Sequence, residues 1–147
     1  MAGNKIKIRR GTIEEAVALS RLIPEFENPA GAETYRNKLE GRDHLIVLAE
    51  IDEPCGFKVG YDREGDGTFY SWIGGVLPDY RRNCVARALA YEMENYCREQ
   101  QYTHLRMKTR NEHKAMLQFA VRNGFYITGL KAYPDPMKSR ILLEKRL

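Results

Sequence analysis

The stretch 69–89, FYSWIGGVLPDYRRNCVARAL, constrains the fold more than any other part of the chain. An apolar, partly aromatic run reaches two adjacent glycines, turns at Pro78 and enters an amphipathic pattern. Val85, Leu89, Met93, Tyr96 and Cys97 give residues 84–100 one apolar side at helical spacing. THLRMKT (103–109) follows as a strand. Strand, helix, strand in that order predicts a parallel crossover with the helix packed on the sheet.

The rest of the chain arranges itself around this unit. KIKIR (5–9) alternates polar and apolar residues and predicts a half-buried strand. TIEE follows, a capping box with Thr12 as N-cap and Glu15 as its partner. The helix it opens puts Ile13, Ala16, Val17 and Ser20 on one face and stops before Pro24. PEFENPAG is a loop, and a short helix with Ala32, Tyr35 and Leu39 on one face ends at Gly41. HLIVLAEI (44–51) is almost continuously apolar, as expected of a strand covered on both faces. DEPCG turns it into FKVGY and DREGDG turns that into TFYSWIGGV, an antiparallel meander. EHKAMLQFAVRNG predicts a helix closed by Asn123 and Gly124, and FYITGL and RILLEKRL are the last strands, separated by YPDP. The fold class is α/β: a single mixed, mostly antiparallel sheet with a parallel strand-helix-strand crossover and helices on both faces, in one domain spanning 1–147.

Composition narrows the functional classes. The chain has 147 residues, enough for one core, with 43% hydrophobic and 30% charged residues. No apolar run approaches the ~20 residues that span a bilayer, so no membrane role is expected. The opening MAGNKIKIRR has no leader-like apolar stretch, which points to a cytoplasmic location. Cys55, Cys84 and Cys97 are odd in number and lack metal-ligand spacing, so they read as reduced thiols, with no metal site. A net charge of +4 and a pI near 9.0 admit an anionic partner without specifying one.

Position specifies more. A strand that ends at a loop and enters a helix exposes backbone N–H groups at the positive end of the helix dipole. That is an anion site suited to phosphate, and Arg81, Arg82 and Arg87 would reinforce it. The plainer alternative is a solvated pair of surface arginines.

GGVLPDYRRNCVARAL resembles the coenzyme A signature of the GNAT superfamily of acyl-CoA-dependent N-acyltransferases, Q/R-x-x-G-x-G/A after an apolar strand and an x-P-x-Y/F-R element. It falls on Arg81, Arg82, Asn83, Cys84, Val85 and Ala86, with Cys84 where the pattern has glycine. NEHKAMLQFAVRNGF is similar to the superfamily's later segment through Asn111, Ala115, Gly124 and Phe125. The element order agrees across essentially the whole chain.

The resemblance implies that the signature amides hold the pyrophosphate of coenzyme A. It also implies that the fourth strand splays from the fifth, that the pantetheine arm lies in the gap, and that Gly74, Gly75 and Val76 line the acyl end. A bulge, or close approach of a ligand, would account for two glycines in one strand. Asn111 is implied as a cofactor contact; a plain helix N-cap is the alternative.

The implied reaction moves an acetyl group from acetyl-CoA to a primary amine, of a small molecule or a protein, by direct attack in a ternary complex. Proximity supplies much of the rate, and N–H groups near Gly75 and Val76 would stabilise the oxyanion. The superfamily's usual proton donor is a tyrosine four residues before the Gly-Phe pair, where this chain has Ala120. Thiolate is a tolerable leaving group, so an acid there helps without being essential; water, or Tyr70, Tyr126 or Tyr80, would substitute, and for each tyrosine packing is the plainer reading. No catalytic base is identifiable: Glu50, on a neighbouring strand, reads more plainly as a solvated charge, and His44, His104 and His113 have no visible partner.

Glu25 and Glu27, with Phe26, would suit a cationic acceptor in the loop after the first helix. His104, Arg106, Lys108 and Arg110 share one strand face and would suit an acidic substrate, or pair with acidic neighbours. Two other classes stay open. The departure at Ala120 allows a non-catalytic acyl-CoA-binding or regulatory module. The basic pI allows a nucleic-acid-binding domain, although no recognition helix or RNA-binding signature is present. A homodimer through a free sheet edge is compatible with the strand pattern.

Overall fold

The computed structural model describes residues 5–147. One seven-stranded sheet organises it. In chain order the elements are β1 (Lys7–Arg10), α1 (Ile13–Arg21), α2 (Ala32–Leu39), β2 (His44–Ile51), β3 (Glu53–Tyr61), β4 (Thr68–Val76), α3 (Val85–Glu99), β5 (His104–Arg110), α4 (Lys114–Arg122), β6 (Tyr126–Lys131) and β7 (Arg140–Arg146). The sheet order is β1-β2-β3-β4-β5-β7-β6, and every pair is antiparallel except β4 with β5. The predicted crossover is therefore present. The last strand enters between β5 and β6, which leaves β1 and β6 as the edges.

Local chemistry explains the boundaries. The Glu15 amide donates to Thr12 Oγ1 at 3.2 Å and the Thr12 amide to Glu15 Oε1 at 3.0 Å, completing the capping box. Arg9 joins Glu15 and Glu50, tying β1, α1 and β2 together. The predicted DEPCG turn is shorter than expected. Asp52 alone reverses the chain, at φ +65°, and β3 starts at Glu53. Aspartate tolerates that left-handed backbone better than most residues.

Two cores lie on opposite faces of the sheet. Ala16, Val17, Leu19, Tyr35 and Leu39 of α1 and α2 cover Ile46, Leu48, Phe57, Val59 and Tyr61. Val85, Leu89, Met93 and Cys97 form the buried stripe of α3 over Leu45, Val47, Ala49, Phe69 and Leu105. Fully burying a side chain of this size contributes about 1.5–3 kcal/mol, so this stripe is what seats α3. Truncating Met93, at its centre, would cost about 2–5 kcal/mol.

Candidate active site

The distinctive geometry is in β4. Thr68–Ser71 pairs with β5, in register with His104–Met107, but Trp72–Val76 has no partner on that side. β5 meanwhile pairs with β7 along its whole length. The two parallel strands thus diverge after Ser71, as the resemblance implied. The divergence coincides with a bulge. Val59 faces Ile73 and Gly60 faces Ser71, leaving Trp72 as the extra residue.

The bulge is therefore at Trp72, not at the glycines. Gly74 and Gly75 stay in register with Lys58 and Phe57. They are small because of crowding: a Cβ on Gly74 would stand 2.9 Å from Phe57 O, and one on Gly75 2.7 Å from Ile23 Cδ1.

Strand alternation sorts the orphaned backbone groups. Leu77 N donates to Cys55 O at 2.8 Å, so Leu77 and Gly75 turn their polar groups toward β3. Gly74 and Val76 turn theirs into the gap. Val76 O is already taken by Arg81 Nε at 3.0 Å. The groups left open are those of Gly74 and the Val76 N–H, an edge that an extended ligand can pair with.

A cleft of about 710 Å³ runs through this gap. It reaches Ile23, Phe26 and Trp72 on the α1/α2 side, and Ala90, Ala120 and Phe125 on the α3/α4 side. It passes through the sheet and so offers two entrances. A second hollow of about 270 Å³ adjoins it at the start of α3, lined by Arg81, Arg82, Cys84, Val85, Ala86 and Arg87 with Phe119.

At that start, Cys84 is the N-cap, at φ +62°, and contributes no side-chain cap. The first amides of α3 stay available to an anion. Arg82 also has positive φ, +74°. Two non-glycine residues in the left-handed region within three positions concentrate strain at this turn. Cys84 is exposed.

The arginines divide. Arg81 donates two bonds of 2.8 Å to Glu25 in addition to its bond to Val76 O. It braces the loop after α1 against the end of β4, and its guanidinium holds the Glu25 carboxyl below the usual carboxylate range. Arg82 and Arg87 are exposed at the hollow and enter no salt bridge among the described residues. Glu25 lines the cleft mouth with its charge already neutralised, and Glu27 is exposed outside the lining.

The remaining candidates separate by position. Tyr126 is 75% exposed on edge strand β6. Tyr70 packs at 5.8 Å from Tyr61 under the Arg63 and Lys108 cations, with its hydroxyl pushed up by burial. Tyr80 packs against the α3 core. None of the three lines the large cleft. Asn111 is no helix cap: His113 precedes α4, and Asn111 Nδ2 donates to Pro136 O at 3.2 Å while its amide donates to Ser139 O. Glu50 is held by Arg9, away from the gap.

The basic stripe of β5 is split in the same way. Arg106 pairs with Glu144 and Asp66, as the cross-strand alternative expected. Lys108 does not; burial and the neighbouring Arg63, Arg140, Lys131 and Lys38 all lower its pKa.

Residue-type reasoning missed Lys58. It lies on β3 between Gly56 and Gly60, on the face covered by α3, and lines the same cleft as Ala120. In FKVGY it looks like an ordinary outward polar position. The available signal was the pair of glycines two residues to either side, on the same face, under a helix.

The profile of the Acetyltransferase (GNAT) family matches residues 14–125. No curated protein sequence matches the chain closely enough to count as a relative. Solved structures do match. The ribosomal-protein-S18-alanine N-acetyltransferase of Escherichia coli superposes with a TM-score of 0.79 at 14% identity, over 97% of this chain and 94% of that one. Ard1 of Thermoplasma volcanium gives 0.80 at 17%, over 97% of each chain. The PaiA N-acetyltransferase of Thermoplasma acidophilum, solved in complex with coenzyme A, gives 0.74 at 16%, over 97% of this chain and 99% of that one. At these identities the likeness speaks for the fold.

Proposed function

The chain belongs to the acetyltransferase (GNAT) family, and on that premise we propose that it transfers an acetyl group from acetyl-CoA to a primary amine, with both substrates held together in the β4–β5 gap. The observation that carries this reading is the divergence of β4 from β5 after Ser71, with the Gly74 and Val76 groups facing the space. A pantetheine arm has the extended shape that such an edge pairs with. The uncapped start of α3, with Arg82 and Arg87 beside it, suits the pyrophosphate. Arg81 serves as a brace on this reading, because Glu25 and Val76 O occupy it.

Acetyl-CoA is a substrate here, consumed at each turnover. Its thioester carbonyl would point at the Gly74 and Val76 amides, donors that need no reorganisation when charge develops on the oxygen. The acceptor would enter from the α1/α2 side, past Phe26 and Trp72. That side offers no free carboxylate at Glu25, which argues against a strongly cationic acceptor.

Calorimetric titration with coenzyme A and acetyl-CoA, followed by a thiol-release screen over amines, tests the proposal. Saturable binding of both, and thiol release with at least one amine, is expected. Failure to bind either thioester or free thiol overturns it. The non-catalytic alternative rests on Ala120, buried in the cleft wall where the family's usual acid would project; binding without thiol release across the panel would favour it.

A further inference from the structure

The cleft that Ala120 lines also has an ammonium, that of Lys58, in its wall. Lys58 Cγ lies 3.3 Å from where a Cβ on Gly74 would stand, so the stem runs beside the strand edge assigned above to the thioester. The glycines flanking Lys58 bring α3 down over it: a Cβ on Gly56 would meet Val85 and Leu89, and one on Gly60 would meet Met93. The opposite charge that Lys58 feels is Glu94 of α3, itself 7% exposed. That carboxylate is occupied by Arg98 at 3.3 Å and Lys145 at 2.9 Å. The other charged groups lining the cleft are Glu25 of the loop after α1 and Arg81 beyond β4, which pair with each other, and Glu112, His113 and Lys114 around the start of α4. Lys108 of β5 is stacked on Tyr70, on the other face of the sheet. Lys58 is left, among the described residues, without an ion-pair partner.

Resting on the acetyl-transfer reading, we infer that Lys58 is the proton donor to the departing coenzyme A sulfur, in place of the tyrosine that Ala120 replaces. The amine nitrogen bonds to the thioester carbon and loses a proton to water. The C–S bond breaks, its electron pair stays on sulfur, and sulfur takes a proton from the Lys58 ammonium. Neutral Lys58 regains its proton from solvent when the thiol leaves.

The energetics suit the task. Burial pulls the Lys58 ammonium down to about 8, against the attraction of Glu94. A cysteine thiol ionises at about 8.5, and the plain alkyl thiol of coenzyme A is a weaker acid than that. Lys58 is thus the stronger acid of the two and titrates near the operating pH, so transfer of its proton to the departing sulfur is favourable in the transition state. A lysine left at its ordinary pKa would hold its proton too tightly.

The test needs no acceptor. Titrate the thiolate absorbance of coenzyme A bound to the intact protein, and compare the affinity of coenzyme A with its desulfo analogue at alkaline pH. In the wild type, the bound thiol ionises at lower pH than free coenzyme A, and the desulfo analogue binds roughly tenfold more weakly, a ~1.4 kcal/mol preference. In Lys58→Met the bound thiol ionises above the free one, since only the apolar cleft remains, and the preference vanishes. Lys58→Arg keeps the depressed thiol but holds its proton permanently.

Nitrogen NMR of the Lys58 amine in the unaltered protein, with and without coenzyme A, gives a readout independent of any variant; its titration should move upward on binding. If coenzyme A binds and Lys58→Met leaves the thiol titration unchanged, or the amine titration does not move, the assignment to Lys58 is wrong while the acyl-CoA reading survives. If coenzyme A does not bind at all, both fall.

Discussion

The two sides of the β4–β5 gap share walls and little else. On the α3 side the surface is apolar, with Leu89, Ala90, Leu105 and Phe125, one desolvated cation at Lys58 and the uncapped helix start nearby. On the α1/α2 side the surface is aromatic and its cations are stacked. Lys38 lies 5.2 Å from the Trp72 ring centre, and Arg63 and Lys108 lie 4.8 and 5.6 Å from that of Tyr70. A cation over a ring keeps a favourable partner without leaving water entirely, whereas the Lys58 amine, under a helix, has no ring and only the water that the cleft admits. The difference teaches how each side accommodates a cation. The α1/α2-side cations lie over rings, although Lys108 among them is also lowered by burial and by like-charged neighbours; on the α3 side Lys58 is lowered by burial with no ring over it.

Packing should break the symmetry most strongly. A Cβ on Gly60, on the α3 side, would stand 2.6 Å from Phe69, 2.8 Å from Met93 and 2.9 Å from Tyr70 O. Gly60→Ala should cost about 3 kcal/mol in denaturant unfolding. Gly75→Ala, whose clash is with the end of the Ile23 side chain, should cost about 1 kcal/mol. Equal costs would mean that the two sides are packed alike.

The second effect is one of pH. Lys58 is protonated more weakly in the folded chain, about 8 against 10.5 for the free group. Between those values the unfolded state binds more protons, so this group makes stability rise with pH. The rise should be about 2 kcal/mol, its full size reduced by the access that the cleft gives to water. Chemical denaturation from pH 7 to 10.5 should show it in the wild type and not in Lys58→Met. A flat difference between the two proteins would mean that the amine is solvated like the cations across the sheet.

Arg82 and Arg81 sharpen the comparison along the ligand's path. Arg82→Ala should weaken coenzyme A binding about tenfold, an effect of ~1.4 kcal/mol that fades with added salt. Arg81→Ala should act through the loop it braces, and change coenzyme A affinity less. The reverse order would place the phosphates at Arg81. Smallest of all, Cys84→Gly should raise stability by about 1 kcal/mol, because glycine adopts φ +62° without a Cβ penalty. Thermal unfolding would show it, and no change would mean that the turn relaxes freely.

Much of this architecture was legible in the chain. Thr12 with Glu15, the apolar run 44–51, and the stripe Val85, Leu89, Met93 and Cys97 each set a local structure through near neighbours, and the structure follows them. The coincidence of a two-glycine strand end, a turn and an arginine-rich helix start marked the place of the hollow beside α3. Those patterns work because capping, periodicity and backbone freedom act over a few residues.

What tertiary structure decided were the pairings between distant segments. Nothing near Arg81 announces that Glu25, 56 residues away, will occupy it. Nothing in TFYSWIGGV says that Trp72, rather than a glycine, will be the bulged residue, because a bulge is set by register against β3. Most of all, Lys58 reads as a solvent-facing strand residue until α3 is laid over Gly56 and Gly60. A pKa is set by which charges and how much water surround a group. For Lys58 that surrounding comes from β4, α3 and β7, assembled only when the sheet closes.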